Sequence, residues 1–295
     1  MGSLEDLRRQ RTRTFDTIAA VVLTIGIVGV LLEVLVGRYG LNWTYIASAW
    51  PTYLRGAWVT FYVTTVSYIV GMGIGFIIGW ARAARVSVRK PGAQGAAVFG
   101  VKYTLRRMGD GYVAAIRGTP LFVQIVFVSS VLVIRFSSLD PNQLALIAGL
   151  VALTANTGGY QSEIFRAGIQ TVHTGQVEAA RAIGFSRWKA MRHVVLPQAL
   201  RLVIPPLTNE YIGLFKASTF LFVLGVPSEI SYIAQHEGFA GDVFEIFAMV
   251  TAIFLAITVT LSFVVQAIER RFRVPGLGIE QVRKPRGVRT VAPSV

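Results

Sequence analysis

Six stretches of the chain are about as long and as apolar as a membrane-spanning helix, and they leave few other folds open. A helix needs about 20 mostly apolar residues to cross the hydrocarbon core of a bilayer. The stretches cover residues 18–36, 53–80, 118–134, 144–165, 201–223 and 244–266. The sequence therefore predicts an all-α integral membrane protein with about six transmembrane helices.

Basic residues fall almost entirely on one side of these predicted spans. The chain has 29 Lys and Arg against 15 Asp and Glu, a net charge of +14 on a sequence that is 53% hydrophobic. With the amino terminus inside the cell, 25 of the 29 basic residues lie in cytoplasmic segments, which is the side that Lys and Arg prefer. The charge thus predicts a multi-pass protein of a prokaryotic inner membrane with both termini cytoplasmic, and it gives no reason to expect a nucleic-acid partner.

Reactive and metal-binding side chains are sparse. The absence of Cys excludes disulfides and thiolate metal sites. Three histidines, His173, His193 and His236, are scattered without the spacing of metal ligands. We therefore expect no catalytic residue, metal or cofactor to belong to this chain itself.

A stripe of small residues runs along the second predicted span. Gly71, Gly75 and Gly79 recur every four residues, a spacing that lets the backbone of another helix approach closely. The partner is either another helix of this chain or the same surface of a second copy.

Residues 178–197, between the fourth and fifth predicted spans, are expected to form two short helices around a glycine. Gly184 can adopt the left-handed conformation that ends a helix, Ser186 can cap the next helix, and Pro197 is expected to end it. The pattern also suits a DNA-binding helix-turn-helix, but the flanking spans leave no length for a third helix and a separate core. An exposed helix pair instead favours docking of a cytoplasmic protein. The apolar residues that would enter a groove of that protein are Ala179, Ala180, Ile183 and Phe185.

The same loop resembles the "EAA" motif of permease subunits of ATP-binding cassette importers. That motif reads Glu-Ala-Ala, three residues, Gly, nine residues, Ile or Val, one residue, Leu-Pro, and the chain matches it at Glu178, Ala179, Ala180, Gly184, Val194, Leu196 and Pro197. The resemblance implies a coupling helix seated on an ATPase subunit. The residues expected in that contact are Glu178, Ala179, Ala180, Gly184, Phe185, Leu196 and Pro197. Because the chain has no Gly-x-x-x-x-Gly-Lys-Ser/Thr loop, ATP and Mg are expected on the partner ATPase.

Further motifs are similar to those of the polar-amino-acid subfamily of these permeases. They lie at residues 116–124, 160–166, 197–201 and 205–219, and the similarity runs from about residue 53 to 271. The chain departs from the usual Lys-Asp-Thr-Ser at Lys216-Ala217-Ser218-Thr219, and its loop at 86–101 is expected to be longer and more flexible than usual. The resemblance implies an importer of an amino acid such as glutamine, histidine, arginine or glutamate.

The resemblance also implies an architecture and a set of partners. A five-helix type I importer core is expected at 53–271, with the coupling loop at 166–200. A basic cytoplasmic amino terminus (1–17), an added helix and outer loop (18–52) and a cytoplasmic tail (272–295) would flank it. The implied partners are an ATPase dimer, a second permease subunit (the same or a homologous chain), an extracytoplasmic amino-acid-binding protein, the amino acid and membrane lipid. The binding protein is expected to dock on the acidic outer loop at 229–245.

Polar residues inside the predicted spans are the candidates for the substrate pathway, because such residues are costly in a membrane. Asn209 and Lys216 lie seven residues apart, nearly on one helical face, and Lys216 and Glu210 offer opposite charges to a zwitterion. Ser218 and Thr119 are further polar candidates, and Thr119 is equally suited to cap a helix that starts at Pro120. The alternative is that Glu210 and Lys216 form purely structural pairs, as Glu163 and Arg166 are expected to do at three-residue spacing.

Two other classes of function remain as alternatives. An integral-membrane enzyme would need converging nucleophile, base or metal groups, and the sequence offers no such cluster. An ion channel would need a carbonyl-rich filter or a ring of acids, and neither signature is present. The permease interpretation is therefore favoured over a membrane enzyme or a channel without ATP coupling.

Overall fold

The computed structural model describes residues 18–19, 21–30, 42–83, 93–172, 174–238 and 242–272, which are helical apart from short turns and contain no β-strand. This confirms the all-α prediction. The chain divides into two units, residues 1–48 and 49–295. In the first unit a short apolar helix, α1 (Val21–Val30), lies within the predicted span at 18–36, while residues 20 and 31–36 of that span fall outside the described residues.

Nine further α-helices follow along the described chain, with one π-helical turn (Met191–Val195) and one 3₁₀ segment (Ser218–Leu224). The helices are α2 (Trp43–Ala83), α3 (Ala93–Gly118), α4 (Leu121–Arg135), α5 (Pro141–Thr171), α6 (Thr174–Ala182), α7 (Arg187–Ala190), α8 (Leu196–Ala217), α9 (Ile230–Gly238) and α10 (Val243–Phe272).

Within the described residues, the helices that meet the length and apolarity of a membrane span are fewer than the six predicted spans. Among the described residues, α2 and Val243–Ile268 of α10 have the required length and apolarity, and α3 and α4 add a third if they form one broken span. The helix α5 is long enough at 31 residues, but polar residues such as Asn156 and Gln161 lower its apolarity. The predicted span at 201–223 changes from α to 3₁₀ geometry at Ser218.

The helix α3 lies in a segment that the sequence predicts to be a cytoplasmic loop. Residues 81–117 are predicted to connect two spans, with a flexible loop at 86–101, yet a 26-residue helix begins at Ala93. The segment from 93 to 118 contains no Pro and many Ala, and Ala is the strongest helix former. The helix α3 does not stand out as an apolar stretch, because Lys102, Arg106 and Arg107 lie between its apolar residues.

A sharp break separates α3 from α4. The two helices meet at an angle of 110° across Thr119 and Pro120. Pro120 is the N-cap residue of α4, with φ −63° and ψ 139°, and a proline disfavours helical geometry in the residue before it. The sequence leaves Thr119 open as a helix cap or a pathway residue. It is not the cap, because the N-cap of α4 is Pro120, whose side chain cannot accept a hydrogen bond, and the Thr119 hydroxyl donates to the Ala115 carbonyl.

The glycine stripe of α2 packs against α5 of the same chain. A Cβ at Gly75 would lie 2.8 Å from the Cβ of Gln161, and one at Gly79 would lie 2.5 Å from the Ser162 carbonyl oxygen. The close approach of the two helices thus depends on the missing side chains. Of the two partners that the sequence leaves open, a helix of the same chain is the one present.

The buried core lies where α2, α4, α5, α8 and the 3₁₀ segment meet. Its fully buried members are Val63, Ile125, Ala152, Leu153 and Leu221. Because these helices are held together on their apolar faces, their polar residues are brought together beside the α3–α4 break.

Candidate functional site

A cavity of about 510 Å³ opens beside the α3–α4 break. Its volume falls within the roughly 300–1,000 Å³ that is typical of small-molecule sites. Three walls form it: the break itself, α5, and α8 with the start of the 3₁₀ segment. The lining residues are Arg117, Gly118, Thr119, Pro120, Leu121, Asn156, Tyr160, Glu210, Gly213, Leu214, Ala217 and Phe220.

Helical spacing explains which side chains reach the cavity. Asn156 and Tyr160 are four residues apart on α5, and Gly213, Leu214 and Ala217 follow Glu210 on α8 by three, four and seven residues. Residues at these spacings share one face of a helix. The cavity is therefore lined by polar residues from one face of α5 and by both polar and apolar residues from one face of α8.

Groups of opposite charge line this cavity. The Arg117 guanidinium carbon lies 5.8 Å from the centroid of the Tyr160 ring, within cation–π range. Across the site, the Thr157 hydroxyl donates to Oε1 of Glu210 at 3.4 Å. A cavity that offers a guanidinium, a carboxyl group and the amide of Asn156 can bind a small polar molecule that carries both an anionic and a cationic group.

The structure brings together two of the five residues that the sequence predicts for the pathway. Thr119 and Glu210 line the cavity. Asn209 and Lys216 are exposed on a neighbouring face of α8, and the buried hydroxyl of Ser218 donates to the Phe215 carbonyl. The spacing of seven does place Asn209 and Lys216 on one face of α8, but Glu210 reaches the cavity from the face beside it.

Sequence reasoning misses three polar residues of the cavity. The sequence places Arg117 among the basic residues of a cytoplasmic loop. In the structure it lies at the end of α3, beside the break, and lines the cavity. Asn156 and Tyr160 lie in the fourth predicted span, where other polar residues such as Gln161 and Ser162 make them inconspicuous. The available signal is that Arg117 and Tyr160 each belong to a motif shared with the amino-acid permeases.

An ion cluster joins α2, α3 and α5 away from the cavity. The predicted pair of Glu163 and Arg166 is present on α5. The sequence does not anticipate Arg82, whose nearly buried guanidinium donates to Asp110 at 2.8 Å and to Glu163 at 2.9 Å. One arginine of α2 thereby links a carboxylate on α3 to another on α5.

The loop between α5 and α8 has the predicted helix–glycine–helix form. Gly184 has φ +93°, and the Ser186 hydroxyl oxygen accepts a hydrogen bond from the Lys189 backbone N–H at 3.2 Å, as expected for an N-cap. Glu178 and Ala179 are exposed on α6, and the side chain of Ile183 is 76% exposed. The loop therefore presents both charged and apolar groups on its surface.

Two predictions about this loop are wrong. Ala180 is buried and faces the interior, so it is not available to enter the groove of a partner. Pro197 does not end a helix, because the π-helical turn runs directly into α8 and Pro197 occupies its first turn. A proline is tolerated there because the N–H groups of a first turn need no partner within the helix.

Two of the four acidic residues in the predicted docking loop at 229–245 are turned inward, whereas Glu237 and Asp242 are half-buried. Glu229 is fully buried and Glu245 nearly so. The Glu229 carboxylate accepts hydrogen bonds from the backbone N–H groups of Ser231 and Tyr232 at the start of α9 and from the hydroxyl of Thr60. Burial raises the pKa of Glu229 to about 7 against these hydrogen bonds, which favour the charged form. Glu229 therefore fixes α9 to α2.

The sequence of this chain is similar to those of known membrane transport proteins. Residues 93–274 match the family described as "Binding-protein-dependent transport system inner membrane component". The "Glutamine transport system permease protein GlnP" of Escherichia coli (strain K12) is 33% identical over 79% of this chain and 98% of that protein. The "L-cystine transport system permease protein TcyB" of Bacillus subtilis (strain 168) is 35% identical over 76% of this chain and 88% of that protein.

Solved structures show the same fold. A crystal structure of "an amino acid ABC transporter with histidines" superposes with a TM-score of 0.67 at 29% identity, over 79% of this chain and 99% of that one. The MetNI methionine ABC transporter in an inward-facing conformation gives a TM-score of 0.59 at 23% identity, over 75% of this chain and 96% of that one.

Proposed function

This chain belongs to the family of binding-protein-dependent transport system inner membrane components, and we propose that its cavity holds a polar amino acid in transit. It is the permease component of an ABC amino-acid importer. The relatives are named for glutamine and cystine, and one solved relative contains histidines. For this chain the substrate is a zwitterionic amino acid with a polar side chain.

The observation that carries this proposal is the composition of the cavity wall. Arg117 and Glu210 supply a cation and an acid, which are complementary to the α-carboxylate and the α-ammonium group that all amino acids share. Thr119 and Asn156 add polar groups beside them. Tyr160 and Phe220 supply apolar surface, so that the cavity mixes polar and apolar contacts as small-molecule sites do.

Uptake by the complete transporter in proteoliposomes tests the proposal. The complex is reconstituted with its ATPase and its binding protein, and a panel of radiolabelled glutamine, histidine, arginine, glutamate and leucine is offered. We expect uptake of at least one polar member of the panel, together with stimulation of ATP hydrolysis. Arg117→Gln and Glu210→Gln should each reduce that uptake at least tenfold, since each removes a charge from the site.

Matched variants separate the cavity from the rest of the chain. Arg107→Gln removes an exposed charge from α3 outside the cavity and should leave uptake unchanged. Lys216→Gln distinguishes the cavity from the pathway that the sequence predicts, because Lys216 lies on α8 but off the cavity wall. If Lys216→Gln abolishes uptake while Arg117→Gln and Glu210→Gln do not, the substrate path lies elsewhere.

The loop from α6 to α8 is the proposed contact with a separate ATPase subunit, which binds ATP and Mg. Its exposed apolar side chains support this, since Ile183 and Trp188 are 76% and 64% exposed beside the charged Glu178. The other residues expected at this contact are Ala179, Gly184, Phe185, Leu196 and Pro197. Glu178→Ala and Ile183→Asp should each reduce co-purification of the ATPase with the permease.

The remaining partners follow from the same proposal. Two permease subunits, either two copies or this chain and a homologue, would enclose the pathway, and an extracytoplasmic binding protein would deliver the amino acid. Both termini would lie in the cytoplasm, as the distribution of Lys and Arg favours. Labelling of single cysteines introduced at residues 3 and 293 of this cysteine-free chain with a membrane-impermeant reagent would test that orientation in intact cells.

A further inference from the structure

Gln124, in the first turn of α4, connects three separate parts of the fold through its side-chain amide. Its Nε2 group donates to the Ile116 carbonyl at 2.8 Å, and to the carbonyl and hydroxyl of Thr119 at 3.1 and 2.8 Å. Its Oε1 atom accepts from Nδ2 of Asn156 at 2.9 Å. The amide thus joins the end of α3, the break and α5.

The sequence explains why an amide is needed at this place. In an unbroken helix the Ile116 carbonyl would accept from the N–H of the residue four positions on. That residue is Pro120, which has no N–H. A carbonyl left without a donor away from water costs free energy, and Nε2 of Gln124 supplies the missing donor.

The bonds of Gln124 end on two residues that line the cavity. Thr119 belongs to the wall made by the break, and Asn156 belongs to the wall made by α5, whereas Gln124 itself is not part of the lining. One amide group, which lies behind the lining, therefore connects these two walls directly. The Asn156 amide is oriented by the same bond, with its NH₂ group towards Gln124.

We propose that Gln124 is a positioning residue for the amino-acid site: it braces Thr119 against Asn156 and so sets the shape of the cavity. The inference rests on the proposed function of that cavity. It makes Gln124 a determinant of affinity and selectivity without contact with the substrate. Small displacements of groups that hold a substrate can change rates by up to about 10²-fold.

Two substitutions remove different parts of the brace. Gln124→Glu keeps the size of the side chain and an acceptor for Asn156, but it removes the donors to Ile116 and Thr119. Gln124→Leu removes all of these hydrogen bonds. Ser130→Ala is the matched control on α4, because the Ser130 hydroxyl donates only to the Val126 carbonyl within its own helix.

The test measures direct binding to the purified transporter complex without the binding protein. Equilibrium dialysis with the radiolabelled amino acid that is taken up fastest in the uptake panel gives Kd, and competition by the rest of the panel gives selectivity. We expect Gln124→Glu and Gln124→Leu to raise Kd about tenfold or more and to reduce the difference in Kd between members of the panel. Ser130→Ala should leave both quantities within twofold of the wild type.

Each outcome has a separate meaning. A Kd and a selectivity unchanged in both Gln124 variants, while Arg117→Gln raises Kd, would overturn the role of Gln124 and leave the proposed function intact. An unchanged Kd in Arg117→Gln and Glu210→Gln would instead overturn the proposed site. A purely structural role would lower the thermal midpoint of the complex without changing selectivity, and where Gln124→Leu does not assemble, the nearly isosteric Gln124→Glu decides the question.

Discussion

The hydroxyl of Thr60 on α2 donates a hydrogen bond of 2.8 Å to the fully buried carboxylate of Glu229, which precedes α9. The two residues are 169 positions apart in the sequence. Gly56, one turn before Thr60, lets α9 approach so closely that a Cβ there would lie 3.0 Å from the Ile230 Cα. A missing side chain and a buried carboxylate together hold α9 on α2.

The pH dependence of stability should carry the signature of Glu229. Its pKa is about 7 in the folded protein against 4.5 for the free side chain, so the folded state binds more protons between these values. The contribution of Glu229 protonation to the free energy of unfolding is therefore complete below about pH 4.5 and is lost as the pH rises through about 7. A shift of this size corresponds to about 3 kcal/mol of unfolding free energy.

Glu229→Gln removes the titration but keeps the size of the side chain. Thermal unfolding in detergent micelles, followed at pH values from 5 to 8, should show that the wild type loses more stability with rising pH than the variant. Because the Gln side chain resembles a protonated carboxyl group, the two midpoints should be close at pH 5, and the wild-type midpoint should fall below that of the variant towards pH 8. Glu178→Gln, which removes an exposed carboxylate from α6, should follow the wild type. A difference that stays constant with pH would contradict this account of Glu229.

The contact between α2 and α5 should be sensitive to a side chain at Gly75 but not at Gly73. A Cβ at Gly75 would lie 2.8 Å from the Cβ of Gln161 and 3.0 Å from the Gly158 carbonyl oxygen, whereas one at Gly73 would have nothing within 4 Å. We expect Gly75→Val to cost about 1–3 kcal/mol, as overpacking does. Gly73→Ala should be neutral or slightly stabilising, since Ala favours a helix. Thermal midpoints of the two variants measure the difference, and equal midpoints would contradict it.

Several features of this fold follow from local rules that the sequence carries openly. The turn at Gly184 and the cap at Ser186 depend only on neighbouring residues, and both are present as predicted. The glycine stripe of α2 predicts a close helix contact from spacing alone. The pair of Glu163 and Arg166 likewise follows from their separation on one helix.

The features that could not be predicted depend on contacts between distant segments. Arg82 meets Asp110 and Glu163 only because α2, α3 and α5 converge, and no pattern within α2 indicates this. Arg117 reaches the cavity because α3 ends immediately after it, at the break. A residue that the sequence assigns to a cytoplasmic loop is therefore part of the cavity wall. The inward turn of Glu229 similarly depends on the approach of α2.

Replacing Arg82 should destabilise the convergence of α2, α3 and α5. Its side chain is only 10% exposed, and it bonds two carboxylates that are 36% and 26% exposed. Arg82→Met leaves both carboxylates without this cation, and the expected cost is about 2 kcal/mol, below that of a fully buried pair because water reaches the acids. Arg106→Met is the control, since Arg106 is 43% exposed and 4.0 Å from Asp110. Urea or thermal unfolding should give Arg82→Met a clearly lower stability than both the control and the wild type.

The turn at Gly184 should matter for attachment of the ATPase more than any other glycine of the same loop. At φ +93° a side chain is strained even though the space around Gly184 is open, and Gly184→Ala should cost about 1 kcal/mol in that turn. If the strained loop relaxes out of this turn in the free permease and must return to it on docking, the affinity for the ATPase subunit should fall roughly fivefold. Gly175→Ala, on α6, meets nothing within 4 Å and has no positive φ, so it should leave the affinity unchanged. Titration of the purified ATPase onto the permease in nanodiscs measures both constants, and equal affinities for the two variants would show that docking does not depend on the geometry of this turn.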